Sequence, residues 1–158
     1  FSKNGNVEVD ATLGNATVNN GSYNLSSTTD KAMVTFKPIG KRAKINAELT
    51  LKTTTGTTGF VFHTNSTGSY YKIVLDATKN SIIGYNSASQ ETTRIPFGLQ
   101  TNTKYDVEII AEGSVAVLYI NGKAALTNRI YGRDKYKWGI IAEGQNATVS
   151  NIQLRQSE

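Results

Sequence analysis

Hydrophobic and polar residues alternate along most of the chain with a period of two. The clearest segment is 43–52, in which polar residues separate the apolar positions Ile45, Ala47, Leu49 and Leu51. Because successive side chains of a β-strand point to opposite faces, this alternation predicts a strand with one buried and one exposed face. No stretch of ten residues carries the apolar stripe of an amphipathic helix. The pattern therefore predicts an all-β protein.

Short segments of this kind are separated by turn signals rich in Gly, Asn, Ser and Thr. A regular spacing of about 8–12 residues is typical of a sandwich or barrel. The predicted strands are 7–13, 16–18, 23–25, 32–36, 43–52, 59–64, 70–76, 81–86, 91–97, 105–112, 115–120, 123–126, 136–143 and 147–155. We find no repeat and no linker, and we expect one domain, residues 1–158, built from two antiparallel sheets.

Two local signals are more specific than the general alternation. Asn121-Gly122 separates two apolar segments, and this dipeptide favours a two-residue type I′ hairpin turn. In the last predicted strand Val149 and Ile152 break the alternation, which indicates a β-bulge near Ser150-Asn151.

Composition agrees with this fold and excludes several classes of function. Thr, Asn and Ser supply 20, 15 and 12 of the 158 residues, and strong helix formers are correspondingly scarce. Without Cys the chain has neither disulfides nor thiolate metal ligands. The net charge of +5 comes from scattered Lys and Arg without an RNA-binding signature, so we expect no nucleic-acid partner. No apolar segment is long enough for a membrane-spanning helix, and we expect no membrane partner.

Several segments in the second half of the chain carry a resemblance to a known family. They are 104–110, 115–123, 124–131, 138–144 and 149–154. The first two resemble the late strands of concanavalin A-like (laminin G-like) sandwiches, which typically end in a Trp-Gly strand and a strand carrying Asn-Ile, as the last two do here. Taken together, the segments are similar to the non-catalytic sandwich associated with family 32 glycoside hydrolases. More closely, they resemble carbohydrate-binding modules of family 66.

The resemblance implies a jelly-roll, concanavalin A-like β-sandwich that binds fructan, of the type found at the C-terminus of bacterial levanases. It implies recognition of a terminal fructosyl unit in a small surface pocket, with levan as the expected fructan. We therefore expect a secreted, extracellular bacterial module that is covalently linked to a catalytic domain, is monomeric and has no cofactor. Two alternatives stay open, namely a glycosidase or related sugar-processing sandwich, and a laminin G-like adhesion domain.

Sugar binding needs an aromatic face and a few fixed hydrogen-bonding groups, and Arg and carboxylates suit adjacent hydroxyls. Two regions offer this mix of residues. The first is the outward face of the central strands, with the candidates Glu48, His63, Tyr70, Tyr71, Tyr85 and Arg94. The second is the loop 129–138 with the residues beyond it, where the candidates are Asp134, Trp138 and Glu143.

Several of these candidates also have a purely structural interpretation. Tyr70 and Tyr71 are neighbours, so one of the two should point into the core. Trp138 opens a strand and is more often a core residue than a sugar platform. Arg94 and Glu48 are equally compatible with a simple cross-strand ion pair, which contributes little to stability.

Catalysis finds little support in the sequence. His63 is the only His, so a Ser-His-Asp arrangement would depend on that one residue. Glycoside hydrolysis needs two carboxylates on opposite sides of the scissile bond. The candidate carboxylates on strands are Glu48, Asp76, Glu108 and Glu143. Nothing in their sequence spacing indicates that two of them form such a catalytic pair.

A structural calcium ion is left open by the sequence. Hard oxygen ligands are available at Glu8, Asp10, Asp30 and Asp134. No Asp-x-Asp-x-Asp-Gly loop concentrates them, so the sequence predicts no metal site.

Overall fold

The computed structural model describes residues 3–5, 7–28, 30–63, 69–131 and 137–157, without the side chains of Lys3 and His63. Within these ranges the chain forms fifteen β-strands. They are β1 (Lys3–Asn4), β2 (Val9–Leu13), β3 (Asn15–Asn19), β4 (Ser22–Ser26), β5 (Lys31–Phe36), β6 (Arg42–Leu51), β7 (Thr57–His63), β8 (Tyr70–Asp76), β9 (Ser81–Tyr85), β10 (Glu91–Pro96), β11 (Lys104–Glu112), β12 (Val115–Ile120), β13 (Lys123–Arg129), β14 (Trp138–Glu143) and β15 (Asn146–Gln156).

The described strands form two antiparallel sheets. The eight-stranded sheet has the order β13-β12-β11-β6-β15-β4-β3, with β1 paired to β15. The seven-stranded sheet has the order β10-β9-β8-β7-β14-β5-β2. The predicted all-β, two-sheet antiparallel sandwich is thereby confirmed. The described part of the chain holds no helix with the length and apolar character to cross a membrane.

The main hydrophobic core lies between the two sheets. In β6 the predicted apolar positions are buried, as in Ile45 and Leu49, which are 0% and 1% exposed. From the opposite sheet β7 contributes Phe60 and Phe62, as its alternation predicted. Each large side chain buried in this way stabilises the fold by about 1.5–3 kcal/mol.

The seven-stranded sheet is also apolar on its outer face. Its strands β5, β8, β9 and β14 contain continuous buried runs rather than alternating ones. Such runs are typical of strands covered on both faces. A second cluster on this face contains Met33, Val61, Val74, Ile83 and Ile141, with Tyr70 and Tyr85 packed against it. Polar side chains on the outer face of this sheet therefore pack on a buried apolar layer.

Both local signals in the sequence are confirmed by the backbone. Asn121 and Gly122 have φ angles of +48° and +82°, the combination that a type I′ turn requires. The pairing of β15 with β6 shifts register between Ser150 and Gln153, and Asn151 there has a φ angle of +52°. Hairpin and bulge are thus where the sequence indicated them.

The two sheets meet along one side of the sandwich. There β13, the edge strand of the eight-stranded sheet, lies against β9 and against β10, the edge strand of the other sheet. At the end of this junction, β8 begins, β9 turns into β10, and the chain leaves β13. A cavity opens at this junction.

Candidate functional site

A cavity of about 600 Å³ opens at the junction of β13 with β9 and β10. It is lined by Tyr71, Asn86, Ser87, Ala88, Thr92, Thr93, Thr127, Asn128, Arg129 and Tyr131. Its volume lies within the range of roughly 300–1,000 Å³ that is common for small-molecule sites. We call this cavity the Tyr131 pocket.

Two tyrosines form the aromatic wall of the Tyr131 pocket. Tyr131 is 56% exposed, whereas Tyr71 is 8% exposed and belongs to the main core. Their rings meet edge to face, with centroids 6.3 Å apart. Just before Tyr131, Ile130 is fully buried, and its backbone N–H donates to the carbonyl of Ser114 at 2.8 Å. The Tyr131 ring is thus exposed on an anchored segment and suits the C–H face of a sugar ring.

Asn128 forms the polar base of the pocket. It is only 3% exposed, and its Nδ2 donates to the backbone carbonyls of Lys72 and Tyr85 at 3.4 and 3.2 Å. Its Oδ1 accepts from the Thr92 hydroxyl at 2.7 Å. These bonds join β13 to β8, β9 and β10. Asn128 therefore links the two sheets by hydrogen bonds at the pocket.

The opposite wall is the β9–β10 loop, which is held by Asn86. The Oδ1 atom of Asn86 accepts the backbone N–H groups of Ala88 and Gln90, and its Nδ2 donates to the Gln90 side chain at 3.0 Å. A side chain that bonds to the backbone two residues ahead is typical of a rigid turn. The exposed Arg129 adds the pocket's charged donor, with a planar fork suited to neighbouring hydroxyls.

Three of the residues predicted to bind sugar lie together on the outer face of the seven-stranded sheet. They are Tyr70, Tyr85 and Glu143. Lys31 Nζ donates to the Tyr70 hydroxyl at 3.1 Å, and this bond raises the pKa of the Lys31 ammonium. Lys72 Nζ binds Glu143 at 2.9 Å and lies 4.7 Å from the centre of the Tyr85 ring. Burial raises the pKa of the Tyr85 phenol. Tyr70, Tyr85 and Glu143 therefore form a half-buried network with two lysines rather than a cavity wall.

Glu48 and Arg94 do not share a face, so the cross-strand pair considered for them is wrong. Arg94 lies on β10 and makes two hydrogen bonds to Glu91, at 2.5 and 2.7 Å, which lower the pKa of the Glu91 carboxyl. Glu48 lies on β6 in the other sheet, 3.8 Å from Lys104 Nζ. One small ligand cannot contact both residues.

Trp138 was a candidate for sugar binding, and its burial contradicts that role. Its ring is 1% exposed and packs 4.6 Å from the ring centre of Phe36, so no face of it is open to a polysaccharide. One of the two neighbouring tyrosines points into the core, as predicted; it is Tyr71, whose side chain also lines the Tyr131 pocket. Asp134 and the side chain of His63 lie outside the described residues.

A second cavity, of about 470 Å³, lies on the outer face of the eight-stranded sheet. Its polar lining includes Asn46, Glu48, Asp106, Glu108, Tyr119 and Gln153. Asn46 Nδ2 donates to Glu108 at 2.9 Å. We call it the Glu48 groove. It provides a second place to test for ligands, but the tyrosine that lines it is only half-exposed.

The sequence interpretation named the loop that contains Arg129 and Tyr131 but missed Asn86, Thr92, Thr93 and Asn128. Asn128 had a recognisable signal. It occupies the middle of the row Leu126, Asn128 and Ile130, whose outer members are core residues. A polar residue at a core-facing position in a strand needs hydrogen-bond partners, and is therefore a marker for an organised polar site.

The described residues contain no cluster of three or more His, Asp or Glu side chains that is arranged to hold a metal ion. The oxygen ligands considered for calcium are therefore not gathered into one site within this part of the chain.

Several solved proteins share this two-sheet β-sandwich fold. The carbohydrate-binding module CBM66 from Bacillus subtilis superposes with a TM-score of 0.82 at 14% identity, covering 96% of this chain and 98% of that one. The galectin LEC-6 of Caenorhabditis elegans gives a TM-score of 0.60 at 12% identity, covering 86% and 96% of the two chains. At these identities the likeness shows the fold alone.

Residues 1–154 match the family described as GH32, BT1760-like, C-terminal domain, and the chain belongs to that family. It is therefore a non-catalytic accessory domain of glycoside hydrolases, as the resemblance predicted. The β-fructofuranosidase of Aspergillus kawachii contains a similar sandwich, with a TM-score of 0.66 and 17% identity over 87% of this chain and 27% of that one. A search of curated protein sequences found no significant match.

Proposed function

We propose that this accessory domain binds fructan, that it recognises the terminal fructosyl unit of levan, and that it holds an attached, secreted glycoside hydrolase on its polymer. The observation that carries the proposal is the Tyr131 pocket, in which an exposed aromatic ring and an Arg side chain flank a rigid polar base. Family membership and the similarity to CBM66 support the same class of ligand.

The chemistry of the pocket favours a neutral, polyhydroxylated ligand. Arg129 is the only charged side chain among the described lining residues, and the others are amides, hydroxyls, one Ala and two tyrosines. Hydroxyls of a sugar can bond to amide and Thr groups, while a ring face packs against Tyr131. A phosphorylated or strongly anionic polymer would need more cations than this lining provides.

The form of the pocket favours a chain end over a long stretch of polymer. Among the described aromatic residues, Tyr131 is the one that is exposed rather than buried or half-buried. An extended binding platform requires several coplanar rings, whereas a terminal unit requires one ring and a few fixed polar groups. The same geometry favours binding over hydrolysis, because the described lining residues include no carboxylate.

Weak binding of one chain end is sufficient for the proposed role. A covalent link to the catalytic domain turns each further encounter with the polymer into an effectively intramolecular event. A monomeric module with a modest affinity thus raises the local concentration of the enzyme near chain ends.

Affinity electrophoresis tests the proposal. The purified domain is run in native gels that contain levan, inulin, cellulose, xylan or starch, and reducing sugar is measured after long incubation with levan. We expect retardation by fructans, most strongly by levan, and no release of reducing sugar. Migration that is unaffected by both fructans would disprove fructan binding. Hydrolysis that persists through purification would disprove the binding-only role.

A further inference from the structure

The four strands at the ends of the two sheets differ in how they are protected from pairing with another chain. β10 carries Glu91, Arg94 and Pro96, and it lies against β13, which is an end strand as well. β2 is interrupted by a bulge at Asp10, whose carboxylate binds Lys137 at 2.6 Å. Charges, prolines, bulges and coverage are the usual devices that prevent edge-to-edge pairing. Among these four described strands, β3 is the one that has none of them.

β3 is also exposed, uncharged and partly apolar. The segment 11–29 contains no charged residue. Four large hydrophobic side chains are exposed among the described residues, and three of them, Val9, Leu13 and Val18, lie on β2 and β3. Val18 is 50% exposed although it pairs with the core residue Tyr23, because no further strand follows β3 in the sheet. An exposed apolar side chain on an unprotected edge is typical of a place where another strand adds to a sheet.

The backbone of β3 offers hydrogen bonds to such a strand. Asn20-Gly21, with φ angles of +51° and +75°, forms the two-residue turn between β3 and β4. In a hairpin of this kind the residues beside the turn bond to each other, so Asn19 and every second residue before it bond to β4. The backbone groups of Val18 and Ala16 therefore point away from the sheet. Of these groups, the Ala16 N–H donates to the Gly14 carbonyl at 3.1 Å in the single chain.

We propose that β3 pairs antiparallel with β3 of a second copy of this chain, about a two-fold axis at Thr17. A two-fold pairing is self-complementary by symmetry. Val18 of each copy then lies opposite Ala16 of the other, which covers the exposed valine and joins the outward backbone groups. The two Thr17 side chains meet on the exposed face, and Thr–Thr pairs across strands are favourable. Since 11–29 is uncharged, no like charges oppose each other on this strand in spite of the net charge of +5.

The pairing is weak, because one strand of five residues makes a small interface. Stable complexes bury about 800 Å² on each partner, far more than such an edge covers. The module is therefore monomeric in dilute solution, and pairs form where copies are concentrated, as on a polymer with many chain ends.

Pairing through β3 leaves both Tyr131 pockets open. β3 and β13 are opposite ends of the eight-stranded sheet, and the pocket lies beside β13. With strands about 4.8 Å apart, the two pockets of a pair are at most about 60 Å apart. Such a pair binds two chain ends of one polymer at once, which raises avidity. This consequence rests on the proposed function, whereas the pairing itself does not.

Sedimentation velocity of Thr17→Lys, Thr17→Glu and the wild-type domain tests the pairing. Both substitutions change an exposed side chain at the axis, where like charges then face each other. We expect the wild type to associate with a dissociation constant of about 0.1–1 mM, and each variant alone to associate about fivefold or more weakly. An equimolar mixture of the two variants should recover association, because opposite charges then meet. Thr127→Lys, at an exposed position of β13, is the matched control and should associate as the wild type does.

The outcomes keep the pairing and fructan binding apart. A wild-type domain that stays monomeric up to about 1 mM would overturn the pairing, and the exposed edge would then belong to a different partner. A mixture that associates no better than the single variants would overturn it too, as would an equal loss in Thr127→Lys. A wild-type domain that associates as expected but binds no fructan would disprove the proposed function and leave the pairing intact.

Discussion

At the scale of single residues, Asn128 explains why this pocket is rigid before any ligand arrives. One amide binds backbone atoms of β8 and β9 and a side chain of β10, so it organises three strands from a fourth. Groups held in place by such bonds lose little conformational entropy when a ligand binds. The neighbouring Arg129 and Tyr131 are exposed side chains on this fixed base.

Arg129 should therefore contribute to affinity and little to stability. In Arg129→Ala we expect levan affinity to fall about tenfold or more, because hydrogen bonds from a charged group typically contribute about 1.5–3 kcal/mol. Titration calorimetry measures the change. The matched control is Lys123→Ala, which removes an exposed cation from the other end of β13. Comparable losses in both variants would show that net charge, not the pocket, governs binding.

At the scale of strands and their connections, Gln145 holds together the end of the sandwich between β6–β7 and β14–β15. It is fully buried, and its Oε1 accepts the backbone N–H groups of Lys52 and Thr53 at 3.0 and 2.8 Å. Its Nε2 donates to the carbonyls of Thr53 and Thr55 at 2.9 and 2.8 Å. One side chain thereby bonds to four backbone groups of this connection, of which the Lys52 N–H also donates to the Asn146 carbonyl and the Thr55 carbonyl also accepts from the Thr53 hydroxyl.

Replacing Gln145 by Leu should consequently destabilise the domain more than most single substitutions. The size of the side chain is nearly kept, but four hydrogen bonds to the backbone are lost, two of them at the N–H and carbonyl of Thr53. We therefore expect the free energy of unfolding to drop by about 3 kcal/mol. For a domain of this size, that lowers Tm by roughly 6–12 °C. Differential scanning calorimetry provides the measurement. Gln153→Leu, at an exposed position of β15, should change Tm by less than about 2 °C; a similar shift in both variants would refute this account of Gln145.

The strands themselves were largely predictable, because alternation in β6 and the Asn121-Gly122 turn depend on local physics. The assignment of the strands to the two sheets was not predictable from the sequence. The sequence pattern predicts outward-facing strand positions for both Glu48 and Arg94, but long-range pairing places them on different sheets. The pocket was only partly predictable for the same reason, since Asn86 and Tyr131 come together from distant parts of the chain.

At the scale of the whole molecule, the two outer faces and the sheet junction offer three different surfaces. The seven-stranded sheet presents a network of lysines, tyrosines and Glu143 whose polar groups bond to one another. The eight-stranded sheet presents the Glu48 groove, where Asn46 donates to Glu108 and Lys104 pairs with Glu48. Only at the junction do an exposed aromatic ring and an Arg converge among the described residues.

The central claim is that fructan binds at this junction, and paired titrations of Tyr131→Ala and Tyr119→Ala against levan test it most directly. Tyr131 lines the pocket, whereas Tyr119 lines the Glu48 groove on the far sheet, so each substitution removes one ring from one candidate surface. We predict saturable binding by the wild type and by Tyr119→Ala, with affinity reduced at least tenfold in Tyr131→Ala at an unchanged Tm. Undiminished binding by Tyr131→Ala, or a loss confined to Tyr119→Ala, would contradict the account.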